Sequence, residues 1–269
     1  MKEFFTTLLQ AVAIELLGIL GVFFLLGYVL SKLQEATHNN YRNTIGWRGV
    51  LCTAWIGTPI HELGHIFFAK VFRHKLGEIH FFRPNKTTGE LGHVEHSYDR
   101  RSLYQQIGNF FIGAAPMLFG SVVLVMLLYF LVPNAKDIFL PLATSDTSLS
   151  FSSLFAIKDI LVGLFSMNHI SDVSFWIFLY LSFCISAHIA PSKQDRKGMW
   201  KGFFWMVLVL IIFNIIPILI GINLTAYVSR IYASITIITA LFLYTLIIST
   251  LHYLVSILVL ALPYRLLRR

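Results

Sequence analysis

Charged side chains are scarce in this sequence. Asp, Glu, Lys and Arg make up 13% of its 269 residues, about half of the quarter that soluble domains carry. With 57% hydrophobic residues and a mean hydropathy of +0.73, this deficit excludes a soluble protein and leaves no stretch for a separate soluble domain. Cysteine is almost missing too. Cys52 and Cys184 lie in different apolar segments without metal-type spacing, which argues against a disulfide framework. Acidic residues are the rarer charge, 13 against 21 Lys and Arg, for a net charge of +8. In so apolar a chain the basic excess marks loops held in the cytoplasm, and no nucleic-acid partner is expected.

What the chain has instead is long apolar runs, over residues 8–30, 49–72, 107–132, 173–189, 202–222 and 224–262. A bilayer core needs about 20 apolar residues per helix. The expected fold class is therefore an all-α polytopic membrane protein of about six transmembrane helices, with a short β-hairpin-like loop after the second. It forms a single integral membrane domain over residues 1–269. Lys2 and the Ala11, Val12, Ala13 stretch imitate a secretory signal, but the apolar run continues to Leu30 and reads as an uncleaved span. Glu15 within it lies close enough to the helix end to snorkel or pair. Residues 31–48 read as a polar loop.

The 73–106 segment holds two β-compatible runs, 78–83 and 91–96, separated by the turn residues 84–89. Such a hairpin either clamps an extended peptide by adding a strand to its edge or is a plain surface loop. His80, His93 and His96 lack a ligand spacing and read as interfacial imidazoles. The third span opens with Gly108 to Pro116, rich in small residues that let helices approach closely. A linker over 133–172, which includes Asp146, carries an amphipathic helix over 154–165 that lies on the membrane. With six spans the N-terminus, the 73–106 loop, the 191–201 loop and the C-terminus share one side. That side collects most of the Lys and Arg, which makes both termini cytoplasmic in a multi-pass protein of the cell membrane.

The chemistry centres on His61, Glu62, Leu63, Gly64 and His65 in the second span. Residues four apart share a helix face, so His61 and His65 can offer two imidazole nitrogens to one metal ion with Glu62 beside it. Zinc held by two histidines and a carboxylate keeps a position for water, and a glutamate can take that water's proton as it attacks a carbonyl. Gly57 and Pro59, within the turn or so before His61, favour a kink or wider groove that admits water. The pair needs a third ligand from elsewhere. Asp195, beyond the Pro191-broken end of the fourth span, is the best-placed carboxylate; His188 is the rival, or else a hydrogen-bond donor to a substrate carbonyl or oxyanion. Zn²⁺ with ionised Asp195 and Glu62 sums to zero charge, which lowers the cost of burial.

This combination, H-E-x-x-H in the second span and an aspartate motif after a later helix, resembles the site-2 protease family of intramembrane zinc metalloproteases. The similarity covers roughly residues 49–195, the expected catalytic core. It implies that His61 and His65 bind zinc, that Glu62 is the general base, and that an aspartate completes the ligand set. It also implies that membrane-anchored protein substrates are cut within or near the bilayer, with an unidentified regulatory membrane partner possible. Ala114, Ala115 and Pro116 look like the family's small-residue-plus-proline segment. Near the third ligand the sequence departs from the family. Where the family shows asparagine, proline and then aspartate with glycine, this chain has His188 in the asparagine's place, Pro191, and Asp195 followed by Arg196. Phe213 to Pro217 is a competing match, but Ile222 and Asn223 stand where an aspartate is needed, so Asp195 is preferred. The expected function is an intramembrane zinc metalloendopeptidase. The alternative is a non-proteolytic metal-binding membrane protein: a transporter, an assembly factor or an inactive protease homologue.

Overall fold

The computed structural model describes residues 16–144, 151–219 and 224–268, together with Thr6, Leu8, Leu9, Val12 and Ala13. Glu15, Asp146, Ile222 and Asn223 lie outside the described residues. The chain is mostly helical with one small antiparallel sheet. A π-helical turn, Leu16–Gly21, leads into α1 (Val22–Thr44), and α2 (Trp47–Val71) follows. The hairpin consists of β1 (Lys75–His80) and β2 (His93–Ser97). Then come α3 (Leu103–Leu131), α4 (Ala135–Thr144), α5 (Phe151–Leu164), α6 (Met167–Ile170), α7 (Val173–Ser186), α8 (Lys193–Leu219) and α9 (Leu224–Ser256). A second π-helical turn, Ile257–Ala261, precedes α10 (Leu262–Leu267), whose first turn contains Pro263. A proline there has no amide to give the preceding turn, and wider hydrogen-bond spacing accommodates that loss.

Among the described residues, three helices are long and apolar enough to cross a membrane, with candidate spans over Leu103–Leu131, Lys193–Ile216 and Thr236–Leu267. The expected fourth span is shorter than anticipated. Helix α7 has 14 residues, or about 21 Å at 1.5 Å per residue against a hydrocarbon core of about 30 Å. The chain breaks at residues 187–192 before α8 begins at Lys193.

The polar stretch expected as a loop over 31–48 is instead helical to Thr44. It contains neither glycine before Gly46 nor any proline, Lys32 and Glu35 pair one turn apart at 3.0 Å, and its inner face is occupied by polar partners. The expected linker helix over 154–165 forms as α5, but Ile160 and Leu164 are buried in the protein core with α4 and α7 rather than facing lipid.

The hairpin forms with its ladder displaced: Lys75 pairs with Ser97, Leu76 with His96, Ile79 with Val94 and His80 with His93, around a bulge between Leu76 and Ile79. The first strand starts three residues earlier than expected because α2 ends in a tight cap. The His74 amide bonds the Ala69 carbonyl, the Arg73 amide bonds that of Lys70, and Arg73 takes a left-handed φ of 59°. Beyond the ladder, the amides of Arg83 and Asn85 still bond the carbonyls of Leu91 and Glu90. Asn85 Oδ1 accepts from the Thr87 and Thr88 amides, and Gly89 supplies φ +77° to close the turn.

Two apolar clusters hold the bundle. One joins the C-terminal half of α3 to α4, α5, α7 and α9 through Leu124, Leu128, Ile160, Phe175, Phe178 and Tyr244. The other joins α1, α3, α8 and α9 through Leu30, Phe110, Ala114, Met117, Met199 and Phe242.

Candidate metal centre

The N-terminal half of α3 packs against α2 on one side and α8 on the other, and glycines set both distances. A Cβ on Gly64 would lie 3.0 Å from the Ala115 carbonyl oxygen, and one on Gly113 would collide with the Asp195 carbonyl and Met199. A Cβ on Gly202 would strike the Phe110 backbone in the same way. At these positions only hydrogen lets the backbones approach. The start of α8 is thereby brought against the H-E-x-x-H turn of α2.

There the structure brings together His61, His65 and Asp195, whose ligating atoms all lie within 4.8 Å of one another. The Nε2 atoms of His61 and His65 stand 3.6 and 3.4 Å from the two carboxylate oxygens of Asp195. Each imidazole is oriented from behind. His61 Nδ1–H donates to the His188 carbonyl at 2.7 Å, and His65 Nδ1–H donates to the Ile112 carbonyl at 2.8 Å. A carbonyl only accepts, so both protons sit on Nδ1 and both Nε2 lone pairs face inward.

Asp195 is oriented as well. Its Oδ2 accepts from the Ser192 amide at 2.7 Å, and its own amide donates to Ser192 Oγ at 3.1 Å. This is a capping box at the start of α8, and the Ser192-x-x-Asp195 spacing before an apolar run was its readable sequence signal. Side-chain exposure is only 15% for His61, 9% for His65 and 13% for Asp195. Three nearly buried groups converging on one point could hold a cation between them. The two-nitrogen, one-carboxylate donor set suits zinc with a position left for a further ligand.

His188 stands differently. Its carbonyl serves His61, while its ring lies 3.1 Å from Thr53 Oγ1 and is not one of the three converging groups. Glu62 is buried beside the centre, and Gly92 of the hairpin covers it: a Cβ there would lie 2.9 Å from Glu62 Oε1. His61, Glu62, His65 and Asp195 line one cleft of about 1400 Å³ whose lining also includes residues of α1 and β2.

Two further histidines pair beside the hairpin, and one of them, His96, lines this cleft. His74 donates from Nε2 to the Gln105 carbonyl at 2.8 Å, so its Nδ1 accepts from His96 Nδ1–H at 3.0 Å. Burial and the neighbouring His74 push His96 down to about 4, and burial also lowers His74. Both are therefore neutral at pH 7. His80 and His93 pair with hairpin carboxylates, Glu78 at 3.4 Å for the first and Glu90 and Glu95 at 3.7 and 3.6 Å for the second. Among the described residues they join no metal-binding group. The carbonyls of Ile112 and His188 had no sequence signal, since a backbone acceptor is contributed by any residue type.

Compared with known proteins, the chain matches no family model, no curated protein and no solved structure.

Proposed function

We propose that this protein is an intramembrane zinc metalloendopeptidase, similar in kind to site-2 proteases, that cleaves membrane-anchored protein substrates. The observation that carries this reading is the convergence of His61 Nε2, His65 Nε2 and Asp195 in a cleft that also holds buried Glu62. When bound, zinc supplies a Lewis acid for the scissile carbonyl and a water acidic enough to lose a proton near neutral pH. Glu62 takes that proton and passes it to the departing amine. The peptide has a place to lie: β2 lines the cleft, and among the described residues the sheet has no third strand on its other edge. An extended segment adding to that edge presents alternate side chains to α1 and its carbonyls toward the centre.

The basic residues of the hairpin and of the 191–201 region favour placing that end of the bundle on the cytoplasmic face of the cell membrane.

The test uses purified protein in nanodiscs with a panel of single-span reporter proteins. Native protein is expected to hold one zinc and to cleave at least one reporter. Glu62→Gln is expected to hold zinc and lose cleavage by about 10³-fold or more. Both His65→Ala and Asp195→Ala are expected to lose the metal. Proteolysis retained by Glu62→Gln overturns the assignment. Zinc flux into proteoliposomes without cleavage by the native protein replaces it with a transport function.

A further inference from the structure

A break between helices inside a bundle leaves backbone amides and carbonyls without helical partners, and in apolar surroundings each needs another. The 187–192 break between α7 and α8 finds them in side chains from three helices. Gln34 Oε1 of α1 accepts from the Ala190 amide at 2.9 Å. Arg196 donates to the Pro191 carbonyl at 2.8 Å, and Asp195 accepts from the Ser192 amide. The His188 carbonyl accepts from His61. Two of the three converging groups of the metal centre are therefore also partners of the break.

The His188 ring is anchored with a defined polarity. The Thr53 hydroxyl donates its single proton to the Val50 carbonyl at 3.1 Å, so it accepts from His188 Nε2–H at 3.1 Å. The His38 ring packs on the other side with centroids 4.9 Å apart. Gly57 makes room, since a Cβ there would lie 2.6 Å from His188 Cδ2 and would collide with the Cys184 carbonyl. Behind them Tyr41 Oη–H donates to His252 Nε2 at 2.6 Å, and His252 Nδ1–H donates to Ser186 Oγ at 3.3 Å, which spends its own proton on the Phe183 carbonyl. The end of α7 is thus tied to α1 and α9, and His188, two residues on, is tied to α2.

We propose that Gln34, His38, Thr53 and the His188 imidazole are positioning residues, which hold the 187–191 break so that the His188 carbonyl keeps His61 Nε2 aimed at the metal. None of them is among the three converging groups. The inference rests on the metal-centre reading above and extends it: helix α1, a wall of the cleft, is wired to the ligand set through Gln34 and His38.

The experiment measures zinc affinity by chelator competition and the visible spectrum of the cobalt-substituted protein, in full-length protein in nanodiscs. Thr53→Val and Gln34→Met each remove one acceptor at nearly constant volume. Each is expected to weaken zinc binding by about 10- to 100-fold, the range for lost partners behind a ligand, and to shift the cobalt bands. Thr53→Ser and Gln34→Glu keep the acceptor and are expected to restore both readouts. Thr245→Val breaks a buried bond of 2.8 Å to Ser121 that involves none of the groups named above. It is expected to lower thermal stability and leave zinc affinity unchanged, which separates positioning from general stability. Variants that bind zinc within about fivefold of native, or conservative variants that fail to rescue, overturn the inference alone. Native protein that binds no zinc overturns the metal-centre reading and the inference with it.

Discussion

Between Gly108 and Pro116, helix α3 packs with its backbone; between Ser121 and Leu131 it packs with its side chains. In the first stretch Gly113 meets the Asp195 backbone, Ala115 meets Gly64, and the Ile112 carbonyl is near enough to accept from His65. In the second, Leu124 and Leu128 fill the space between α4, α5, α7 and α9. Close backbones expose carbonyls as hydrogen-bond partners, which a metal centre needs; bulky side chains bury area and hide every polar group. One helix thus builds a polar site at one end and an apolar anchor at the other.

The largest effect that would break this contrast is expected at Gly113. Gly113→Val places carbon atoms where the Asp195 backbone lies, so α8 must move and Asp195 with it. Zinc affinity is expected to fall by more than 100-fold, read by elemental mass spectrometry after dialysis, because the aspartate is displaced rather than merely reoriented. At the other end, Leu128→Ala leaves a cavity and is expected to cost about 2–5 kcal/mol. Its unfolding should shift accordingly in a denaturant titration while zinc content stays at the native level. If Leu128→Ala also releases zinc, the two ends are not independent.

A smaller effect is expected from pH, and it discriminates the two ends as well. His96 sits near 4 in the folded hairpin against an ordinary value of 6.5. Between those values the released hairpin binds a proton that the docked one does not. Docking is therefore strongest above about 6.5 and weakens as pH falls toward 4; His74, lowered by burial, acts with the same sign. Amide exchange in His93–Ser97, corrected for intrinsic rate, should accelerate on acidification over this window, whereas exchange around Leu124 and Leu128 should not. Replacing His96 by Gln should flatten the hairpin's response.

Much of the site was legible because its chemistry is local. The histidine pair and Glu62 need only one turn of helix to share a face, and the 84–89 turn and the Pro191 break follow from residues whose backbone preferences act within a few positions. Other features escaped for physical reasons. Residues 31–44 look like a loop by polarity, yet they form a helix because Gln34, Asn40 and Tyr41 find partners in the break and in α9. Helix α7 ends early, since hydropathy extends the apolar run to Ile189 while the backbone turns at Ser186. Asp195 was readable as a ligand candidate and also, through Ser192, as a cap. Only their coincidence in one side chain was not.

The sequence by itself determined that the chain is apolar over most of its length, that a histidine pair with a glutamate occupies one helical turn, and that a hairpin follows it, because each depends on composition or on spacing over a few residues. The tertiary structure alone decided that Asp195 faces both histidines, that the His188 ring turns to Thr53 while its carbonyl serves His61, and that α1 reaches the break. These depend on which backbones can approach across the bundle, and that distance is set jointly by glycines on α2, α3 and α8, far apart in the chain.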